Sequence, residues 1–314
     1  MLSMIGRRIA LLPLLLLVVS FVVFALTSVS PTDPAAVILG PGATPASVRA
    51  LRQQLGLDQT LLHQYGTWLG QLFHGSLGRS WYGGVPVVTK IAEGIPITAA
   101  LVLSALILTA LVAIPSGLYA GMRAGGRLDR LASAIAGGGL SMPEFWVGLL
   151  LILILSQKLH VLPGSGPLTI TANVPSDAQH LVLPVIALSL PQICSLYRLT
   201  RASAISVARQ DYIRTARAGG LPERTLLWTR LAKNALVPAV TLLGLQLGRL
   251  IGVAAVIEPV FGMQGIGSIA VQAAIDSDIP TVLGVVLVTA GIVMVANLLA
   301  DIACHYLEPK AGQS

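Results

Sequence analysis

Charged residues are scarce in this sequence: Asp, Glu, Lys and Arg make up only 11% of its 314 residues. Hydrophobic residues make up 54%, and the mean hydropathy is +0.81. A water-soluble domain of this size does not need so many apolar side chains. The composition therefore excludes an ordinary soluble protein and indicates an integral membrane protein.

Several chemical signatures are also missing. The two cysteines, Cys194 and Cys304, lie within or at the end of apolar segments, which argues against a disulfide framework. The sequence contains no H-E-x-x-H motif and no G-x-x-x-x-G-K-[ST] loop, and its five histidines are scattered. These absences argue against an enzyme or a metal site, and if ATP drives the protein, another chain must bind it. The stretch from Gly265 to Ala270 matches G-x-G-x-x-A, but it lies between two apolar segments and lacks the βαβ context of a dinucleotide site.

The apolar segments predict an all-α, polytopic protein. A spanning helix needs about 20 mostly apolar residues. Six segments meet that requirement: Ile9–Leu26, Ile97–Ala120, Leu131–Ser156, Leu181–Leu199, Ala235–Val260 and Thr281–Ala303. We interpret the first as an uncleaved anchor, because it is longer than the apolar core of a signal peptide and no A-x-A site follows it.

The distribution of basic residues predicts the orientation of these spans. If the N-terminus is inside, fourteen of the twenty Lys and Arg residues lie on the inner side and five lie outside. Lys and Arg mark the cytoplasmic side of membrane proteins. We therefore expect both termini in the cytoplasm, with a short N-terminal end and first span (1–29) and a C-terminal tail (306–314).

The external segment 30–95 is too long for a simple connector. Apolar residues recur in it at helical spacing with a break near Gly56, and Thr44 followed by Pro45 is typical of an N-cap and first helical position. We expect two short amphipathic helices here, lying on the outer face. They form either a cap packed on the bundle, which we favour, or a docking surface for an external partner.

Eight of the twenty basic residues lie between Arg198 and Lys233, around a Gly219–Gly220 pair that predicts a helix stop. We expect a helix, a tight turn and a second helix over 202–234, with Ile205, Ala208, Tyr212 and Thr215 sharing one face. Such a basic hairpin could rest on anionic lipid. Its small-residue tip favours instead a backbone that enters a groove of another protein.

Two ionisable residues lie at membrane depth, where charge is costly and usually functional. Arg249 lies near the middle of the fifth segment, and Glu144 follows Pro143 in the third. Arg249 either lines a path and holds a substrate carboxylate or bridges helices, and the sequence gives Glu144 no obvious partner. A bundle rich in Gly and Pro also fits an ion-coupled secondary transporter, although coupling acids and inverted repeats are not apparent. A membrane-embedded enzyme is a weaker alternative.

The stretch DYIRTARAGGL, together with SPTDPAAVILGPGATP, GLSMPEFWVGLLL and the EPVFGMQGIG loop, resembles a known family along essentially the whole chain. The resemblance is to permease subunits of binding-protein-dependent ABC importers, in the oligopeptide, dipeptide and nickel branch. Gly219 stands where that branch has a lysine, and Arg249 stands where a small or uncharged residue is expected.

This resemblance implies a type I importer core, over 96–305, that moves peptides across the bacterial cytoplasmic membrane by alternating access. It also implies a second related permease, two cytoplasmic ATPase subunits that bind ATP and Mg, and an extracytoplasmic binding protein. The chain itself would hold no cofactor and bind no nucleic acid. By motif position, the residues that contact the ATPase are Asp211, Tyr212, Arg214, Thr215, Ala216, Arg217, Gly220 and Leu221.

Overall fold

The computed structural model describes residues 2–28, 33–166 and 174–307. The predicted tail therefore lies outside the described residues beyond position 307. Nearly all of the described chain is helical, and no β-strand occurs in those ranges. The helices are α1 (Leu2–Ser28), α2 (Pro34–Leu39), α3 (Pro45–Gln54), α4 (Leu61–Phe73), α5 (Val87–Met122), α6 (Arg127–Gly139), α7 (Glu144–Leu151), α8 (Val174–Ala208), α9 (Asp211–Ala218), α10 (Glu223–Thr225), α11 (Ala232–Ala235), α12 (Val237–Val260), α13 (Ile266–Ile275) and α14 (Ile279–Leu307).

Four of these helices contain described stretches long and apolar enough to cross a membrane: Val87–Met122, Ala178–Ala208, Val237–Val260 and Ile279–Ala300. They include the predicted second, fourth, fifth and sixth segments, apart from the first two residues of the fifth and the last three of the sixth. The predicted first segment lies in α1, whose described apolar stretch, Leu11–Thr27, is shorter. The all-α prediction is confirmed.

The predicted third span, Leu131–Ser156, is not one straight helix. The helix is interrupted after α6 at residues 140–143, and its axis turns by 103° between Arg127–Gly139 and Glu144–Lys158. Pro143 is extended and immediately precedes α7, as expected for a residue that lacks a backbone donor and starts a helix. Beyond α7 the helix continues in π geometry over Ile152–Lys158.

The chain divides into two compact units, residues 1–98 with 264–294 and residues 99–263 with 295–314. In the first unit, Thr44 caps α3 as its sequence predicts, because its hydroxyl accepts a hydrogen bond from the Ser47 amide at 3.2 Å. Helix α4 packs Trp68 against Phe24 of α1 and Leu283 of α14.

A buried carboxylate fixes the start of α14 within the first unit. Asp278 is 2% exposed and accepts hydrogen bonds from the hydroxyls of Ser80 and Thr281 at 2.5 and 2.6 Å. The amide of Trp81 donates to it as well, and the Lys90 ammonium lies 3.7 Å away. These contacts tie the segment that follows α4 to the N-terminus of α14.

In the second unit, α8 packs against α6, α7 and α12. Helix α5 approaches α8 closely, because Gly117 faces Thr200 and Gly121 faces Ala204 with no side chain between the backbones. Small residues at this spacing let membrane helices come into close contact. Helix α8 ends at Ala208, and the chain then enters the hairpin that contains α9.

Candidate functional sites: a basic hairpin and an ion pair at a broken helix

The turn after α9 has a fixed backbone geometry. The Leu221 amide donates to the Ala216 carbonyl at 3.3 Å, and the Gly220 amide donates to the Arg217 carbonyl at 3.1 Å. These two bonds form a Schellman motif, which places the residue after the C-cap in the left-handed region. Gly220 occupies that position with φ of +80°. The predicted helix stop is therefore present, and Gly220 is its turn residue.

Apolar contacts anchor α9, with Ala216 packed against the edge of a cluster and Ile213 inside it. Ile213 is fully buried in a cluster with Leu118 of α5 and with Ala204 and Val207 of α8. Leu226 and Leu231 complete the cluster from the second arm of the hairpin, residues 222–234, which we call the return arm. The predicted continuous face is wrong. The helix is interrupted at Arg209–Gln210, and both Tyr212 and Thr215 are exposed. The break rotates α9 relative to α8, so that Ile213 points into the cluster instead.

The rest of the tip is open to solvent in this chain. Of the eight residues predicted to contact a partner, Ala216 is half-buried and the other seven are exposed: Asp211, Tyr212, Arg214, Thr215, Arg217, Gly220 and Leu221. A Cβ added at Gly220 would have no atom within 4 Å. The Tyr212 hydroxyl accepts a hydrogen bond from Asn234 at 2.7 Å and joins the two arms.

A buried ion pair holds the base of the hairpin. The Arg201 guanidinium on α8 donates to both carboxylate oxygens of Asp129 on α6, at 2.5 and 2.7 Å. Asp129 is 4% exposed and also accepts a bond from the Gly125 amide. Two parallel bonds of this kind fix geometry as well as charge, so the pair sets α8 relative to α6 two helical turns before α8 ends.

The two charged residues predicted at membrane depth contact each other. Arg249, near the midpoint of α12, places a guanidinium nitrogen 3.3 Å from a carboxylate oxygen of Glu144. Glu144 is the first residue of α7, directly after the break in the helix. Membrane proteins tolerate irregular backbone of this kind where it is buried in protein or lines a polar cavity.

Some features of this region carry no clear sequence signal. Gln192 of α8 and Gln246 of α12 are both buried, and the side-chain amide of Gln246 donates a hydrogen bond to the main-chain carbonyl of Gln192 at 3.4 Å. Helical periodicity could have placed each residue on an inward face, but it could not have paired them. Among the described residues, no three His, Cys, Asp or Glu side chains come close enough to hold a metal ion.

Family models match almost the entire chain. Residues 113–313 match the model for the inner membrane component of binding-protein-dependent transport systems, and residues 1–102 match the model for the N-terminal part of such components.

Three named permeases match this chain over nearly their full length. A putative peptide transport system permease of Brucella abortus is 37% identical over 99% of both chains. The probable D,D-dipeptide transport system permease DdpB of Escherichia coli is 34% identical over 94% of this chain and 93% of that protein. The oligopeptide transport system permease AppB of Bacillus subtilis is 33% identical over 94% of this chain and 95% of that protein.

A solved structure matches the fold. A chain of the inward-facing MetNI methionine ABC transporter superposes with a TM-score of 0.57 at 18% identity. The match covers 70% of this chain and 97% of that one.

Proposed function

This chain belongs to the family of binding-protein-dependent transport system inner membrane components, and from that premise we propose that it is the permease subunit of an ATP-driven importer of peptides. The names of its relatives support the cargo class, since they are permeases for peptides, dipeptides and oligopeptides. Cargo crosses by alternating access, and the chain performs no covalent chemistry itself.

The hairpin is the observation that carries the proposal. An exposed, basic tip with a backbone-fixed turn and a bare glycine suits insertion into a groove on a cytoplasmic ATPase. In this role Asp211, Tyr212, Arg214, Thr215, Ala216, Arg217, Gly220 and Leu221 make or shape the contact. Two ATPase subunits bind ATP and Mg, and their closure moves the hairpin.

The buried contacts below the tip support transmission of that movement. Ile213 fastens α9 to the cluster that includes α5 and α8, and Arg201 fastens α8 to Asp129 of α6. A displacement of the hairpin is therefore transmitted to the packed helices α5, α6 and α8. Glu144 and Arg249 lie farther along this unit and line the translocation path.

The remaining parts follow from the positive-inside distribution of charge. Both termini lie in the cytoplasm, α1 is the first of six spans, and the segment 30–95 lies outside. The core over 96–305 pairs with a second permease and receives cargo from an extracytoplasmic binding protein in the bacterial cytoplasmic membrane.

Copurification with an ATPase tests the proposal directly. The complex is purified from cells that express its neighbouring transport genes, and ATP-dependent uptake of a labelled dipeptide is measured in proteoliposomes. Replacing both tip arginines (Arg214→Ala with Arg217→Ala) should release the ATPase and abolish uptake.

A matched control removes the same charge from the return arm (Arg230→Ala with Lys233→Ala), where both residues are exposed. This variant should keep the ATPase bound. Equal loss from both variants would indicate a general attraction for basic surface and would contradict a specific docking contact. Uptake by the wild-type complex that persists without ATP would contradict the proposal altogether.

A further inference from the structure

The ion pair between Glu144 and Arg249 is built differently from the pair between Asp129 and Arg201. The Asp129–Arg201 pair has two short bonds, and the Asp129 side chain is only 3% exposed. The Glu144–Arg249 pair has a single contact at 3.3 Å, and the side chains are 18% and 61% exposed. The first geometry suits a permanent joint, whereas the second suits a contact that can open.

Neither charge of the open pair can remain alone at this depth. Arg249 lies thirteenth in the 24 residues of α12, and an uncompensated charge near the centre of a span costs roughly 3 kcal/mol or more. The pair therefore opens only if other groups supply both a positive and a negative charge at the same time.

We propose that Glu144 and Arg249 form a charge-exchange site for the two ends of a zwitterionic cargo. The Arg249 guanidinium takes the cargo carboxylate, and the Glu144 carboxylate takes the cargo ammonium, while their own contact opens. This assignment rests on the proposed import of peptides and names the cargo chemistry that these residues recognise.

The exchange explains why oppositely charged residues face each other on a transport path. When the path is empty the two charges neutralise each other, and when a zwitterion enters, one ion pair is replaced by two. No side-chain charge is left without a partner in either state. A cargo with only one charged end leaves one side chain unpaired, so its passage is disfavoured.

The position of Glu144 adds to this selectivity. Its carboxylate is carried by the first residue of α7, next to a break where the axis turns by 103°. The Arg249 side chain is long and 61% exposed, so its guanidinium can turn away from Glu144 by rotation about its own bonds. The two charges can therefore separate to fit the ends of a short peptide, and two extended residues span roughly 7 Å.

The test uses the complete complex in proteoliposomes and measures uptake of a labelled dipeptide with free ends. Glu144→Gln and Arg249→Gln each leave one charge unpaired, so either could fail for structural reasons alone. The informative variant is the double replacement, Glu144→Gln with Arg249→Gln, which leaves no unpaired charge. We expect its uptake to fall by about tenfold or more, because two charge-assisted bonds to the cargo are lost. The ATPase and the second permease should still copurify with this variant, which shows that the complex assembles.

A matched control neutralises an ion pair outside the bundle, Asp33→Asn with Arg52→Gln. These side chains lie 3.1 Å apart in the segment before α4, and uptake should stay at the wild-type level. Uptake by the Glu144/Arg249 double variant at the wild-type level would overturn the inference and identify the pair as a helix bridge.

Loss of the second permease from the Arg249→Gln complex would also overturn the inference, in favour of a subunit contact. These results are separable from failure of the proposed function, which requires absence of ATP-dependent uptake in the wild-type complex itself.

Discussion

At the scale of single residues, the two glycines of the hairpin turn have different roles. Gly219 has φ of −74°, and a Cβ there would meet only backbone oxygens at 3.5 Å, an ordinary contact. Gly220 has φ of +80°, a conformation that costs other residues roughly 1–2 kcal/mol. A side chain at Gly220 would also point into space that the proposed ATPase occupies.

This difference predicts opposite outcomes for neighbouring substitutions. Gly219→Ala should leave ATP-dependent uptake within about twofold of the wild type, whereas Gly220→Trp should abolish uptake but leave the chain inserted in the membrane. Gly220→Asn separates strain from bulk, because Asn tolerates positive φ. We expect Gly220→Asn to lower uptake as well, and wild-type uptake in both Gly220 variants would contradict a close contact at the tip.

Single residues also show which features of the two candidate sites the sequence could predict. The glycine stop and the exposure of Arg214 and Arg217 could be predicted, because both depend on local backbone chemistry. The contact between Glu144 and Arg249 could not, because 105 positions separate the two residues along the chain. Only the packing of α7 near α12 brings them together.

At the scale of elements, the close approach of α5 to α8 determines how well the hairpin is supported. A Cβ at Gly121 would collide with the Cβ of Ala204 and lie 3.0 Å from the Arg201 carbonyl oxygen. Overpacking of this kind costs roughly 1–3 kcal/mol.

The collision predicts a suppressor. Gly121→Ala should lower the thermal denaturation midpoint of the purified chain in detergent, and Ala204→Gly added to it should restore most of the loss. The single variant Ala204→Gly serves as the control for the cavity and helix propensity effects. Absence of any rescue would mean that the backbone contact to Arg201, rather than Ala204, limits the approach.

Elements also show why the predicted third span was only partly right. Apolar composition sets the total length of a span, and the stretch from Leu131 to Ser156 has enough of it. Composition does not determine the angle between two half-helices, which depends on Pro143 and on the contacts of α6 and α7 with α8. The interruption of the helix at Gln210 was not predicted either. It depends on tertiary contacts, because burial of Ile213 overrides the local helical pattern.

At the scale of the whole molecule, the proposed orientation can be tested by chemical access. Cys194 is buried, so cysteines are introduced into a background with Cys194→Ala and Cys304→Ala. Gln53 of α3 and Ala218 of α9 are both exposed and lie on opposite sides of the proposed topology.

In intact cells, a membrane-impermeant maleimide should label Gln53→Cys and leave Ala218→Cys unlabelled until the membrane is permeabilised. Positive charge on the inner side is the physical reason. Equal labelling of both positions, or the reverse pattern, would contradict the orientation. The chain is expressed without the ATPase, so that the hairpin tip is free, and permeabilised cells provide the control, since both cysteines should then react.

The turn at the tip of the hairpin is held by main-chain bonds, and Ile213 and the half-buried Ala216 tie α9 into the apolar cluster. We therefore expect the exposed side chains of the tip, apart from Tyr212 with its bond to Asn234, to be exchangeable at little cost to folding. If the segment between Gln210 and Pro222 is replaced by that of a related permease, we expect this chain to bind the ATPase of the related transporter. Permeases and ATPases of different transporters could then be combined by exchanging this segment alone.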